Sequence, residues 1–275
     1  MMPTITAHQA IKRFGGFVRY YDTTEPLPKL ASLISGADRD ILACCGGGNQ
    51  VLTMLGAIKK PAAVWAVDIN PAQLFVLAAK SVFLKKNKMM PSFDQLLRAY
   101  PGRIEAVKRN ISLLNQMDLC HATTGKKVSL PEATAKKYGV VVDDGLFILP
   151  QSGPYWQRDT VFTGQISART RCLRFKAMDI FDVPDHFPPR SFDVIYLSDI
   201  FWPKSLAYFQ TKLAGLAGLL RSKGRIISYL GGAGEYMGNG VSPGRILLQQ
   251  AVSFGLSGSD QKNGYLVLEK KSGGR

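Results

Sequence analysis

Histidine is scarce in this chain. Its three copies, His8, His121 and His186, are scattered through 275 residues, so neither a histidine-based triad nor a histidine metal cluster is expected. Cysteine is scarce too. Cys44 and Cys45 are adjacent, Cys120 and Cys172 stand alone, and no C-x-x-C pair occurs. A structural zinc site is therefore not expected, and the thiols read as small buried hydrophobes. No apolar run is long enough to span a bilayer. The opening MMPTITAHQAIKRF lacks the apolar core of a signal peptide, so a cytoplasmic location is expected. G-x-S-x-G, H-E-x-x-H and Walker sequences are all missing, which removes the commonest hydrolase, zinc-protease and P-loop readings.

Acids are few as well. Twenty Asp and Glu face 35 Lys and Arg, for a net charge of +15. The excess is uneven: Lys80 to Asn110 holds eight basic residues against two acids. Such a face could meet nucleic acid, an anionic membrane surface or an acidic substrate, or simply be a solvated helical surface. Lys80, Lys85, Lys86, Lys88, Arg98 and Arg103 motivate an expected peripheral contact with anionic membrane. Nucleic-acid binding rests only on this charge and on aromatics such as Trp156, and is not the expectation.

What the chain does have is 46% hydrophobic composition, enough for one large core. Asp40 to Cys45 reads as a strand too apolar to face water on either side. Gly46, Gly47 and Gly48 form a turn, Gln50 to Ala57 a helix, and Ala63 to Val67 a second strand with Asp68 at its tip. Asn70 can cap the next helix, Pro71 suits its first turn, and Gln73 can reach back as in a capping box. That helix runs to about Lys86. Later strands are expected at 173–177, 192–197, 224–230 and 265–269, with helices at 206–220 and 246–254. Strands alternating with helices predict a doubly wound, mostly parallel, Rossmann-like α/β sheet. Ligands of such sheets bind beyond the carboxyl ends of the strands, where the order reverses.

Residues 1–275 are expected to form one domain. Residues 8–35 read as helical with a break, so 1–36 is expected to be a helical lid. Residues 91–140 read as mostly helical, and 139–150 as a hairpin turning at Asp144-Gly145. The stretch 87–170 is read as an insertion contributing to an acceptor site.

Several residues stand where chemistry would occur. The turn Cys45, Gly46, Gly47, Gly48, Asn49 lets backbone approach a ligand closely, and N–H groups at the helix start can bind an anion. Asp68, about twenty residues on, is placed to accept hydrogen bonds from both hydroxyls of a ribose, and would repel a 2′-phosphate. The same acid could instead cap a helix. This spacing alone does not separate NAD from S-adenosylmethionine, although the turn is not a clean G-x-G-x-x-G. Asp179 follows the third strand, where an adenine amino group could be bound, with Met178 and Ile180 packing near the ring and Asp182 as a neighbouring alternative. Ser198 and Asp199 follow the fourth strand. Asp199 could hold the amino group of a cofactor tail, orient an acceptor, or merely cap a helix. Tyr20 and Tyr21 precede the first strand, and a tyrosine hydroxyl there could position or polarise an acceptor.

Together, Gly47-Gly48-Asn49 after a strand and Val67-Asp68-Ile69-Asn70-Pro71-Ala72-Gln73 resemble the BtaA-type enzymes, S-adenosylmethionine-dependent 3-amino-3-carboxypropyl transferases of betaine-lipid synthesis. Tyr21-Asp22-Thr23-Thr24-Glu25-Pro26 is similar to a tyrosine-to-Glu-Asp-Pro segment of that family, with the motif altered. Phe192 to Asp199 is similar to a later strand. The resemblance covers roughly 20–85 and 173–230. It implies a class I S-adenosylmethionine-dependent transferase fold, with Ile69, Asn70 and Gln73 joining the residues above at the cofactor. It implies a lipid hydroxyl or small-molecule acceptor, or cyclisation of the cofactor tail, with methylthioadenosine released. A methyltransferase releasing S-adenosylhomocysteine is the alternative. A sulfonium is already a strong leaving group, so position rather than acid–base groups selects the carbon attacked.

Overall fold

Three consecutive buried residues, Ile41, Leu42 and Ala43, form the middle of the central strand. This strand, β2 (Asp40–Cys44), pairs in parallel with β3 (Ala63–Asp68) on one side and β8 (Phe192–Tyr196) on the other. Beyond β3 lies β7 (Leu173–Ala177), and beyond β8 lies β9 (Leu220–Tyr229), both parallel to their neighbours. The antiparallel β11 (Tyr265–Lys270) then separates β9 from β10 (Leu256–Gln261). The seven-stranded order is β10-β11-β9-β8-β2-β3-β7. The computed structural model describes residues 5–18, 21, 25–106, 141–143, 146–148, 159–198, 206–229, 251–261 and 264–271.

The central strands read as unbroken apolar runs because helices cover both faces. Ile41, Ala43, Val64 and Ala66 point into one layer, shared with α1 (Ala7–Arg13), α2 (Leu27–Ser32), α3 (Asn49–Ala57), α4 (Pro71–Asn87) and α6 (Thr160–Arg169). Leu42, Ile195 and Ile226 point into the other layer. There they meet Leu213 and Leu216 of α7 (Leu206–Leu219) and the 3₁₀ turn Ile180–Asp185. Each such fully buried aliphatic side chain contributes about 1.5–3 kcal/mol over its exposed state. In α3, Asn49 to Gly56 are buried without interruption. Gly56 is required there, since a Cβ would sit 2.4 Å from the Phe162 ring of α6.

The amino ends of the strands carry an ion network. Arg221 reaches Asp40 and Asp193, each at 2.9 Å, and Arg225 reaches Asp38 at 2.6 Å. The backbone N–H groups of Arg39 and Asp40 donate to Asp193 Oδ2 at 2.8 and 3.0 Å. This end of the sheet is stitched shut, so the opposite, carboxyl end is the one available to a ligand.

The doubly wound reading holds, and the differences lie at its margins. The N-terminal segment is not all helix. β1 (Gly16–Val18) pairs in parallel with β4 (Ile104–Ala106), tying it to the region after α5 (Phe93–Ala99). Three-residue strands are too short to show a period. The strand expected to begin at Gly224 begins at Leu220. The edge strand β10, LSGSDQ, is polar and glycine-bearing and so reads as loop. The hairpin strands β5 (Val141–Asp143) and β6 (Leu146–Ile148) pair as expected, while Asp144 and Gly145 lie outside the described residues. The expected helix 246–254 is described only from Ala251, with a 3₁₀ turn at Val252–Phe254. Within the stretch read as an insertion, α6 packs on α3 and α4 and belongs to the main layer.

Candidate functional site

Strand β2 ends in a turn whose geometry only glycine tolerates well. Gly46 lies at φ +49° and Gly48 at φ +85°. At Gly48 a Cβ would meet Leu77 of α4 at 3.0 Å, so this glycine lets the turn lie against the helix. At Gly46 the nearest atom to an added Cβ is 3.9 Å away, so its freedom is conformational. Cys45 is wholly used inside the protein. Its N–H donates to Val67 O at 2.9 Å, its carbonyl accepts from Gly48 N–H at 2.8 Å, and its thiol contacts Gln73 O at 3.4 Å. Burial, and next the charge of Asp68, push the Cys45 thiol well above its ordinary range, so it stays protonated.

Asp68 sits half-buried at the carboxyl tip of β3, beside this turn. Its Oδ2 accepts from Gly46 N–H at 3.1 Å and its Oδ1 from Asn70 N–H at 2.8 Å. A half-buried carboxylate beside a glycine bend suits the two adjacent hydroxyls of a sugar. Next to it Ile69 is 74% exposed, a large apolar side chain in water at the ligand end of the sheet. Asn70 caps α4 as expected, accepting from Ala72 N–H at 3.0 Å, with Pro71 at the first helical position. Gln73 does not close a capping box. It turns away and donates to Gly46 O at 2.6 Å, bracing the glycine turn from the opposite side to Asp68.

Lys80 departs most from expectation. The charge pattern along the chain puts it on a basic surface, yet it is fully buried on α4. Its ammonium donates to Gly47 O at 2.8 Å, to Asn49 Oδ1 at 3.0 Å and to Tyr21 O, and lies 3.9 Å from the Tyr21 ring centroid. Arg103 is also committed, donating to the carbonyls of Ile11, Lys12 and Phe14 at the end of α1. Of the six cations named for a membrane contact, Lys85, Lys86, Lys88 and Arg98 are exposed, and Lys88 donates to Ser167 Oγ at 2.9 Å. Tyr21 is buried, with its hydroxyl donating to Pro91 O and its ring edge-on to Phe93. It anchors the N-terminal segment.

Glu25, which the altered tyrosine-to-Glu-Asp-Pro element includes without assigning it a role, proves to be a hub. It is 8% exposed, and four donors converge on its carboxylate. Ser198 Oγ and Gln50 Nε2 (3.2 Å) donate to Oε1, while the hydroxyls of Tyr196 and Tyr265 (3.4 Å) donate to Oε2. These donors come from β8, from the loop after it, from β11, and from the first turn of α3. Burial, followed by the charge of Glu25, pushes the Tyr265 hydroxyl far above its usual range, so it remains a donor. Ser198 holds φ +52°, rare for a non-glycine residue, and its carbonyl is pinned by Tyr229 N–H and Ser228 Oγ, each at 3.0 Å. The only local sign of this hub was an acid before proline in TTEPLP.

The structure thus brings the glycine turn, Asp68, Asn70, Gln73, Lys80, Glu25 and Ser198 to the carboxyl ends of β2, β3 and β8. Asp179 lies farther along this edge, half-buried, capping its own 3₁₀ turn by accepting from Phe181 N–H at 3.0 Å. Met178 N–H donates to Asp68 O at 3.0 Å. Ile180 faces the second core layer, so its side chain serves packing. Tyr20 and Asp199 lie outside the described residues.

No protein-family model matches this chain, and no curated protein matches it. Solved structures resemble it at low identity. The N-methyltransferase NodS from Bradyrhizobium japonicum WM9, in complex with S-adenosyl-L-homocysteine, is 11% identical over 97% of this chain and 99% of that one, with a TM-score of 0.45. A SAM-dependent methyltransferase from Methanosarcina mazei is 8% identical over 92% and 100%, also at 0.45. An O-methyltransferase family protein from Burkholderia thailandensis is 12% identical at a TM-score of 0.41, and this chain spans 56% of its length. These likenesses concern overall shape. The strand order described above rests on the chain's own hydrogen bonding.

Proposed function

We propose that this chain is an S-adenosylmethionine-dependent transferase. The observation that carries the reading is Asp68, a half-buried carboxylate at the tip of the strand beside β2, hydrogen-bonded to the glycine turn that ends β2. The place of this cluster at the carboxyl ends of β2, β3 and β8 supports it, because there the chain switches from winding one face to winding the other. Asp68 would hold the ribose hydroxyls, exposed Ile69 would pack against the base, and the turn from Gly46 to Gly48 would lie under the sugar and sulfur. When bound, the cofactor supplies a sulfonium whose attached carbons are open to displacement. The protein's own contribution is positional. Lys80 and Gln73 hold the turn rigid, so the acceptor is presented to one carbon only.

The finer reading is transfer of the 3-amino-3-carboxypropyl group, supported by the V-D-x-N-P-A-Q element. The acceptor is a lipid hydroxyl or a small molecule, and methylthioadenosine is the expected nucleoside product. Methyl transfer is the competing outcome. Incubation with the cofactor and candidate acceptors, followed by mass spectrometry of the nucleoside released, decides between them. Methylthioadenosine supports the finer reading, S-adenosylhomocysteine replaces it with methyl transfer, and failure to bind any adenosyl nucleoside removes both.

A further inference from the structure

Glu25 organises a patch of hydroxyl groups whose protons all point the same way. Tyr196, Ser198 and Tyr265 each have one hydroxyl proton, and each donates it to the same carboxylate. What a hydroxyl offers beyond its own proton is lone pairs. Tyr196 and Tyr265 are fully buried, so of the three hydroxyls it is Ser198, 9% exposed, that can meet a ligand: an acceptor oxygen backed by an anionic centre, suited to an ammonium group and hostile to a carboxylate. Four donors on two oxygens is the pattern of an ionised carboxyl, which accepts at both and donates at neither.

The position is informative. Gln50 sits in the first turn of α3, directly after the glycine turn, and Ser198 follows β8. β3 and β8 are the two neighbours of β2, so Asp68 and Ser198 flank the glycine turn about two strand spacings apart, roughly 10 Å. That span suits a nucleoside with a short charged tail. Lys80 fastens the same N-terminal segment to the turn at Tyr21, four residues before Glu25, by bridging Tyr21 O and Gly47 O.

We infer that Glu25 positions Ser198 to recognise the ammonium group of the cofactor's amino-acid tail: it takes the Ser198 proton, leaving the hydroxyl oxygen as the acceptor, and supplies the negative charge behind it. The inference rests on the S-adenosylmethionine reading and extends it by naming what holds the end opposite Asp68. Calorimetric titration with two nucleosides tests it: S-adenosylhomocysteine carries the tail, and methylthioadenosine lacks it. In Glu25→Gln, affinity for S-adenosylhomocysteine falls at least tenfold, while affinity for methylthioadenosine stays within twofold of wild type. Ser198→Ala, a milder change, shows the same selective loss and carries the test should Glu25→Gln fail to melt cooperatively. Equal loss for both nucleosides, or no loss for either, overturns the inference and leaves the cofactor reading intact. Wild-type protein that binds neither nucleoside overturns both.

Discussion

Asp68→Ala separates the job that the Asp68 carboxylate visibly performs from the one proposed for it. The first is internal: Asp68 accepts the N–H of Gly46 at 3.1 Å and that of Asn70 at 2.8 Å. Hydrogen bonds to charged groups contribute about 1.5–3 kcal/mol each when buried. This carboxylate is half-buried and water can reach the freed donors, so a total loss of about 1–3 kcal/mol in stability is expected. A chain of this length loses roughly 2–4 °C of melting temperature per kcal/mol. The second, on the proposed reading, is to hold the ribose. Losing its hydroxyl contacts is expected to cost a further ~1–3 kcal/mol of binding, a rise in Kd of roughly 5- to 150-fold. Titration with S-adenosylhomocysteine well below the variant's melting point measures the second job, and a thermal melt measures the first. Asp68→Asn should fall between, because it keeps one carbonyl oxygen for Asn70 while turning an NH₂ toward Gly46. If the melt drops as expected and Kd stays within twofold, Asp68 merely pins the turn and the ribose assignment fails.

Gly48→Ala is expected to destabilise by about 1–3 kcal/mol in urea unfolding, from its left-handed backbone and the contact with Leu77. Gly46→Ala should cost only about 1 kcal/mol but weaken nucleoside binding, and equal stability effects would refute the distinction. Lys80→Met keeps the apolar stem but removes the charged donor from three buried acceptors, for an expected loss of about 2–4 kcal/mol; an unchanged urea midpoint would contradict it. At the other end of the sheet, burial pushes the Asp193 carboxyl up, but the N–H groups of Asp40 and Arg39 and the guanidinium of Arg221 outweigh it and leave it depressed. A depressed carboxylate contributes stability above its unfolded value of about 3.9, and that contribution disappears as pH falls through the folded value. Asp193→Asn is therefore expected to cost about 1–2 kcal/mol at pH 7 and clearly less at pH 3; equal deficits at the two pH values would refute the sign.

The parts of the fold that were legible are those whose physics is local. A parallel strand buried on both faces must be an apolar run, so β2 and β3 announced themselves. Asn70-Pro71 carries cap chemistry within two residues, and α4 starts there. The parts that stayed hidden depend on distance. Glu25 finds its partners 25, 171, 173 and 240 residues away, and nothing near it in sequence reports them. Lys80 counted as a surface charge because charge was summed along the chain. Its neighbours tell otherwise, since Leu77, Ala78, Ala79 and Ser81 are all buried with it on α4. Gln73 had a local role open to it, the capping box, and the carbonyl of Gly46 offered a better acceptor.

The helices α4 and α6 lie against one another, and Lys88 just past the first touches Ser167 within the second. Between them α5 joins the main core and β4 pairs with β1, so the chain is anchored as far as Ala106 and again at α6. Closing such a loop costs only about 0.6 kcal/mol more each time its length doubles. A change of length between Ala106 and α6 therefore carries a small entropic cost, and the strands bearing Asp68 and the glycine turn keep their neighbours.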